Sequence, residues 1–174
     1  VAGAGSTVTP LVRAARPEDV PLVLSMFREL AVYEQFEDQL EATEGRLADA
    51  LFGAHPSAEA LIAELDDEAV GYAVFFHTFS SFLALPGVWL EDLFVRPEHR
   101  RAGVGRALLA AVAARVPSGG RMEWAALDWN ELALGFYASL GATRMDEWVT
   151  HRLVGEPLTG LAAEASPPGD RAGA

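Results

Sequence analysis

The stretch RPEHRRAGVGRALL carries Arg100, Gly103 and Gly105 in the spacing Arg-x-x-Gly-x-Gly, where a strand-like apolar run gives way to a helical one. The composition of the chain predicts roughly 0.1 such matches by chance, so the strand-to-helix context carries more weight than the spelling. A helix N-terminus presents unpaired backbone N–H groups and a partial positive charge, both suited to phosphate. Gly103 and Gly105 let the backbone approach an anion closely, and Arg100, Arg101 and Arg106 add charge. Two other phosphate loops fail by spelling: there is no Lys for a P-loop, and Leu108 stands where the third Gly of G-x-G-x-x-G belongs. The plainer alternative is a tight turn with solvated arginines.

Just before this loop, Glu91 and Asp92 interrupt the apolar run VWLEDLFV. An uncompensated carboxylate is expensive in a buried strand, which makes the pair candidates for proton transfer or cation binding. Neighbours on a regular strand point to opposite faces, so sharing one pocket requires a bulge. Otherwise one carboxylate pairs with an Arg and the other faces solvent. Further along, Ala133, Phe136, Tyr137 and Leu140 form a helical stripe, and by spacing alone Tyr137 reads as a packing aromatic. His55, His77, His99 and His151 lack metal-ligand spacing, so no metal is expected.

The elements that must position these residues follow from periodicity. The 174 residues suit one domain, expected at about 8–154, with residues 1–7 and 155–174 as irregular tails. Leu11 and Val12 start a short strand. Val20, Val23, Leu24, Phe27, Leu30 and Ala31 recur at helical spacing, and a second helix spans Thr43 to Phe52 with Thr43 as its cap. AEALIAEL and VGYAVFFHTF read as strands joined by a DDE turn, and VWLEDLFV as a third. Val104, Ala107, Leu108, Ala111, Val112 and Val116 give the helix after the glycine loop one apolar face. MEWAALDW is then a strand, ELALGFYASLG a helix and EWVTHRL a last strand. This order predicts an α/β (α+β) fold, a mixed sheet with helices on both faces.

Composition excludes several classes. The absence of Cys removes disulfides, thiolate metal sites and a Cys nucleophile. All 13 basic residues are Arg, and the formal charge of −12 argues against a nucleic-acid surface while favouring a cationic small molecule. No apolar run approaches the roughly 20 residues of a membrane span, and the first ten residues lack the basic start and apolar middle of a secretory signal. A cytoplasmic location, without membrane or nucleic-acid partners, is the expectation.

At the glycine loop the chain resembles the GNAT acetyltransferase superfamily, whose coenzyme signature is Gln or Arg, two residues, Gly, one residue, then Gly or Ala. RELAVYEQFEDQL, FGAHP, WLEDLFVRPEHRRAGVG and DWNELALGFYASLGA resemble diamine (spermidine/spermine) N-acetyltransferases, in the same order over residues 11–153. The resemblance implies a mostly antiparallel GNAT sheet, acetyl-CoA as co-substrate, direct transfer to a primary amine of a diamine or polyamine, and a homodimer. Glu91 is implied to act as base through water. Asp92 and Glu34 are implied to bind the cationic substrate, and Trp148 to lie near its amine. Tyr137 matches the acid that protonates the departing thiolate. Leu93, Phe94 and Val95 on the strand, and Arg100, Arg101, Ala102, Gly103, Val104, Gly105 and Arg106 in the loop, match coenzyme-binding positions, as do Asn130 and Phe136. A lysine-like amino acid is the alternative acceptor, and a non-catalytic acyl-CoA sensor the alternative class.

Overall fold

The computed structural model describes residues 9–165; residues 1–8 and 166–174, and with them the tail expected at 1–7, lie outside the described residues. The chain falls into two units, one running to Ala125 and the other starting at Ala126.

The first unit is built on a five-stranded sheet in the order β1-β2-β3-β4-β5. Its strands are β1 (Leu11–Ala14), β2 (Glu59–Leu65), β3 (Glu68–Ser80), β4 (Leu85–Val95) and β5 (Met122–Trp124). Pairing is antiparallel throughout except for the parallel β4–β5 pair. The β2–β3 hairpin turns on Asp66 and Asp67, both at positive φ (49° and 65°). Two successive left-handed residues match the twist of the strands they join, and Asp tolerates that conformation better than most side chains.

Helices α1 (Val20–Glu34) and α2 (Glu44–Phe52) cover one face. Val23, Leu24 and Met26 of α1 and Leu47 and Leu51 of α2 pack with Ile62, Tyr72, Val74 and Phe94 from the strands. Thr43 caps α2 as expected, its Oγ1 accepting from the Arg46 N–H at 3.2 Å. Helix α3 (Val104–Ala113) buries Val104, Leu108, Leu109 and Val112 against the sheet. Each such fully buried side chain contributes about 1.5–3 kcal/mol relative to exposure. The mixed, mostly antiparallel sheet with helices on both faces is therefore the fold that the pattern of elements called for.

Two arginines fasten α1 to the sheet. Arg13 of β1 grips Asp19 through both terminal nitrogens (2.6 and 3.0 Å) and reaches Glu64 of β2 through Nε (2.8 Å). This pairing holds the Asp19 carboxyl below the usual carboxylate range despite its burial. Arg96, just beyond β4, donates to both oxygens of Glu29 on α1 (3.0 and 2.9 Å) and to the Ala69 carbonyl (3.0 Å). The C-terminal half of α1 is thereby fixed beside the end of β4.

The second unit contains α4 (Glu131–Ser139) and α5 (Gly155–Ala163). Three expectations change. Residues 155–163, read as an irregular tail, are helical. The strand expected at 147–153 is absent: Asp146 and Glu147 turn and the following residues are irregular and exposed. A strand needs another strand's backbone, and no described strand pairs with that segment. MEWAALDW forms β5 only over its first three residues, because parallel pairing ends at Leu90–Trp124, where β4 changes course. No helix among the described residues is long and apolar enough to cross a membrane.

Candidate active site

The change of course in β4 is a bulge. Asp92 pairs with Val74 and Leu90 with Phe75, so Glu91 is an extra residue with no opposite number on β3. A bulge bends and twists its strand and re-aims its side chains. Asp92 and Phe94 consequently share the α1 face with Tyr72, whose hydroxyl donates to Asp92 Oδ2 at 3.3 Å. Glu91 stays exposed, and Trp89, two residues earlier, donates its indole N–H to Glu91 Oε2 at 2.9 Å.

Burial pushes the Asp92 carboxyl up to about 6, with the negative charges of Glu91 and Glu34 adding to the effect and the Tyr72 hydroxyl opposing it. Glu34, at the C-terminal end of α1, is itself raised by burial. The position expected for a substrate-binding Glu34 is thus a half-buried one facing Asp92's surroundings, not a solvated helix end. Among the described residues, no cluster of three His, Asp or Glu side chains forms a metal site.

Past Leu90, β4 has a strand neighbour on one side only among the described residues. Arg96 N–H donates to the Val70 carbonyl of β3 at 2.9 Å. By the alternation of an antiparallel ladder, Leu93 and Val95 turn their backbone groups the other way, toward the open edge, while Phe94 is buried in the core. The Val95 carbonyl there accepts from Arg100 Nε at 3.0 Å. Arg100 also lies over the Tyr33 ring, 4.6 Å from its centre, so its side chain ties the loop to α1 as well as adding charge.

The loop after β4 ends in Gly103 at φ +84°, which starts α3 with no side-chain cap on the first turn. The first backbone bond across that start is Ala107 N–H to Gly103 O at 3.0 Å, so Val104, Gly105 and Arg106 precede any helical acceptor. Arg101 (φ +66°), Ala102, Gly103 and Arg106 are exposed around these donors, while Val104 anchors the turn in the core.

In the second unit, Asn130 caps α4 by accepting from the Ala133 N–H at 3.2 Å. Phe136 and Tyr137 adjoin on α4 with ring centres 5.5 Å apart. Trp148 lies beyond α4, exposed after the Asp146–Glu147 turn. Sequence reading missed Tyr72, Trp89 and Arg96. The first two left a trace, a hydroxyl within the apolar run VGYAVFF and an indole two residues from Glu91; Arg96 left none, because its partner lies 67 positions away.

The chain that carries this open strand edge, bulged acidic step and uncapped glycine-led helix is similar to proteins of a known family. The acetyltransferase (GNAT) family matches residues 25–142. A thialysine N-epsilon-acetyltransferase of Sus scrofa is 33% identical, covering 88% of this chain and 98% of its own length. L-ornithine N5-acetyltransferase NATA1 of Arabidopsis thaliana is 31% identical, covering 86% of each. Among solved structures, an integron cassette protein from the mobile metagenome of V. cholerae superposes with a TM-score of 0.72 at 27% identity, over 88% of this chain and 97% of that one. The family match takes in most of α1, the bulged strand, the glycine loop and α4, and with relatives this similar along their lengths the chain belongs to the GNAT family of N-acetyltransferases.

Proposed function

We propose that the protein transfers the acetyl group of acetyl-CoA directly to a primary amine at the end of a short aliphatic chain carrying a second ammonium, a diamine or polyamine. The observation that carries this reading is the β4 bulge, which sets an exposed carboxylate, Glu91, next to a half-buried one, Asp92, on the strand that leads into the glycine loop.

The first unit suits the coenzyme. The exposed first turn of α3 offers Val104, Gly105 and Arg106 N–H groups to a pyrophosphate, with Arg101 and Arg106 beside them. The open edge at Leu93 and Val95 offers backbone partners to an amide-bearing arm. Bound there, acetyl-CoA supplies the activated acyl group as a thioester.

A free alkylammonium has a pKa of about 10.4 and must lose its proton before attack. Glu91, exposed and steadied by Trp89, takes that proton through water; the freed amine nitrogen then bonds to the acyl carbon, the carbon–sulfur bond breaks, and the nitrogen's second proton passes through solvent to restore the hydroxyl that protonates the thiolate. Asp92 and Glu34 hold the acceptor's second ammonium. Tyr137 gives its proton to the departing thiolate, and Asn130 and Phe136 contact the coenzyme arm; these roles rest on the family resemblance, as does Trp148 near the amine. The same resemblance supports a homodimer.

A second acceptor class, the distal amine of an amino acid, is favoured by the relatives named for ornithine and thialysine. That class needs a cation for its α-carboxylate, and since Arg13 and Arg96 are engaged with carboxylates of the fold and Arg100 with Val95 and Tyr33, another arginine has to supply it.

The test is release of CoA thiol with putrescine, spermidine, ornithine, thialysine and an aminoglycoside. Turnover with putrescine or spermidine is expected. Turnover with ornithine or thialysine alone selects the second class, and no release with any amine removes the transferase reading in favour of an acyl-CoA sensor. Tyr137→Phe is expected to lower kcat about 100-fold with acetyl-CoA affinity unchanged; an unchanged kcat removes the acid role.

A further inference from the structure

Tyr72 stands near the middle of β3 with no exposed surface. Phe27 of α1 and Phe94 of β4 flank its ring, with centres 5.2 and 6.0 Å away. These contacts fix the ring and aim its hydroxyl, which lies 3.3 Å from Asp92 Oδ2. Phe would fill the same space without a polar group to satisfy, so the hydroxyl's presence answers to the carboxylate rather than to packing.

The surroundings keep that hydroxyl a donor. Burial and the negative charges of Asp92, Glu34 and Glu29 push the phenol further above its ordinary value, so it does not ionise where amines are acetylated. Arg96 neutralises Glu29 through a two-point pair, which leaves Glu34 and Glu91 as the charges acting on Asp92 from α1 and from its own strand. A carboxylate among like charges tends to take up a proton or swing away. A fixed donor on one oxygen opposes both.

We propose that Tyr72 is a positioning residue that sets acceptor specificity: by holding Oδ2 of Asp92 it presents Oδ1 as the anionic seat for the second ammonium of a dicationic acceptor. This rests on the acetyltransferase reading above for its consequence, and on the Tyr72–Asp92 geometry for its cause. A monoamine makes no use of the seat, so the hydroxyl matters only for acceptors with two cationic ends.

The experiment compares Tyr72→Phe with the unaltered enzyme on 1,4-diaminobutane and on butylamine across neutral and mildly acidic pH, with thermal unfolding as a check on the fold. A hydrogen bond to a charged group is worth about a tenfold change in an equilibrium. Accordingly, kcat/KM for the diamine is expected to fall about tenfold near pH 7, chiefly through KM, while butylamine changes less than about twofold. The acid limb of the diamine profile should move to higher pH, since loss of the donor makes Asp92 easier to protonate. In an Asp92→Asn background, adding Tyr72→Phe should cost nothing further. Equal losses for both amines, an unmoved acid limb, or full additivity with Asp92→Asn overturns the proposal.

Carbon NMR titration of the Asp92 carboxyl separates this proposal from the reading it rests on. If no amine is acetylated yet Asp92 titrates higher in Tyr72→Phe, acetyl transfer fails and the positioning contact stands. If amines are acetylated and the Asp92 titration is the same in both proteins, the positioning role is wrong.

Discussion

The indole N–H of Trp89 donates to Oε2 of Glu91 at 2.9 Å, across the step at which β4 bulges. An exposed carboxylate with no Arg partner among the described residues samples many rotamers, and one aromatic donor from its own strand narrows that choice. Trp89→Phe keeps an aromatic ring and removes the donor. Steady-state kinetics should show kcat falling about 2–10-fold with KM for acetyl-CoA unchanged. Glu91→Gln removes the base itself and should lower kcat about 100-fold. A Glu91→Gln enzyme with full kcat takes the base role away from Glu91, whatever Trp89→Phe does.

Arg101 holds a left-handed backbone (φ +66°) two residues before Gly103, and the same exposed stretch carries the loop's positive charge. For a residue with a Cβ that conformation costs about 1–2 kcal/mol. Arg101→Gly should therefore raise the unfolding temperature while weakening CoA binding, with a shallower dependence on salt because one screened charge is gone. Opposite signs for stability and affinity are the signature. Calorimetric titration at low and high salt beside a thermal melt tests it, and unchanged CoA affinity would sever Arg101 from the coenzyme.

What could be read in advance divides by the distance over which each feature is decided. The apolar stripes of α1 and α3, the Thr43 cap and the glycine turn are settled within one or two helical turns, and the spacing of residues revealed them. The need for a bulge could be argued from adjacent Glu91 and Asp92, but its place in the register depends on Val74 and Phe75 of another strand. Tyr72 meets Asp92 from 20 positions away and Arg96 meets Glu29 from 67, distances over which a single sequence carries no periodic signal. EWVTHRL failed for the same reason in reverse: its residue types suit a strand, but a strand is completed by a partner that its own letters do not specify. The helix at Gly155–Ala163 escaped notice because Gly and Pro at its start read as breakers, although Pro is compatible with a first turn.

Asp92 should make the fold less stable as pH rises. Its folded pKa of about 6 lies above the unfolded value of 3.8, so below pH 4 both states hold the proton and the group is neutral in the balance. Between about pH 4 and 6 the unfolded chain gives up that proton first, and folding is progressively disfavoured; above 6 the full cost applies. Asp19 acts in the opposite sense, since Arg13 holds its pKa below the ordinary value and its contribution is lost only as pH falls through the acid range. Comparing the unaltered protein with Asp92→Asn cancels the Asp19 effect. Urea denaturation should find Asp92→Asn more stable by about 1–3 kcal/mol at pH 8, with the gap closing toward pH 4, while turnover of a dicationic amine is lost. A gap that widens on acidification, or a less stable variant at pH 8, would mean that Asp92 is ionised at no cost in the fold. In that case Tyr72 and its neighbours would not be compensating a strained charge kept for the substrate.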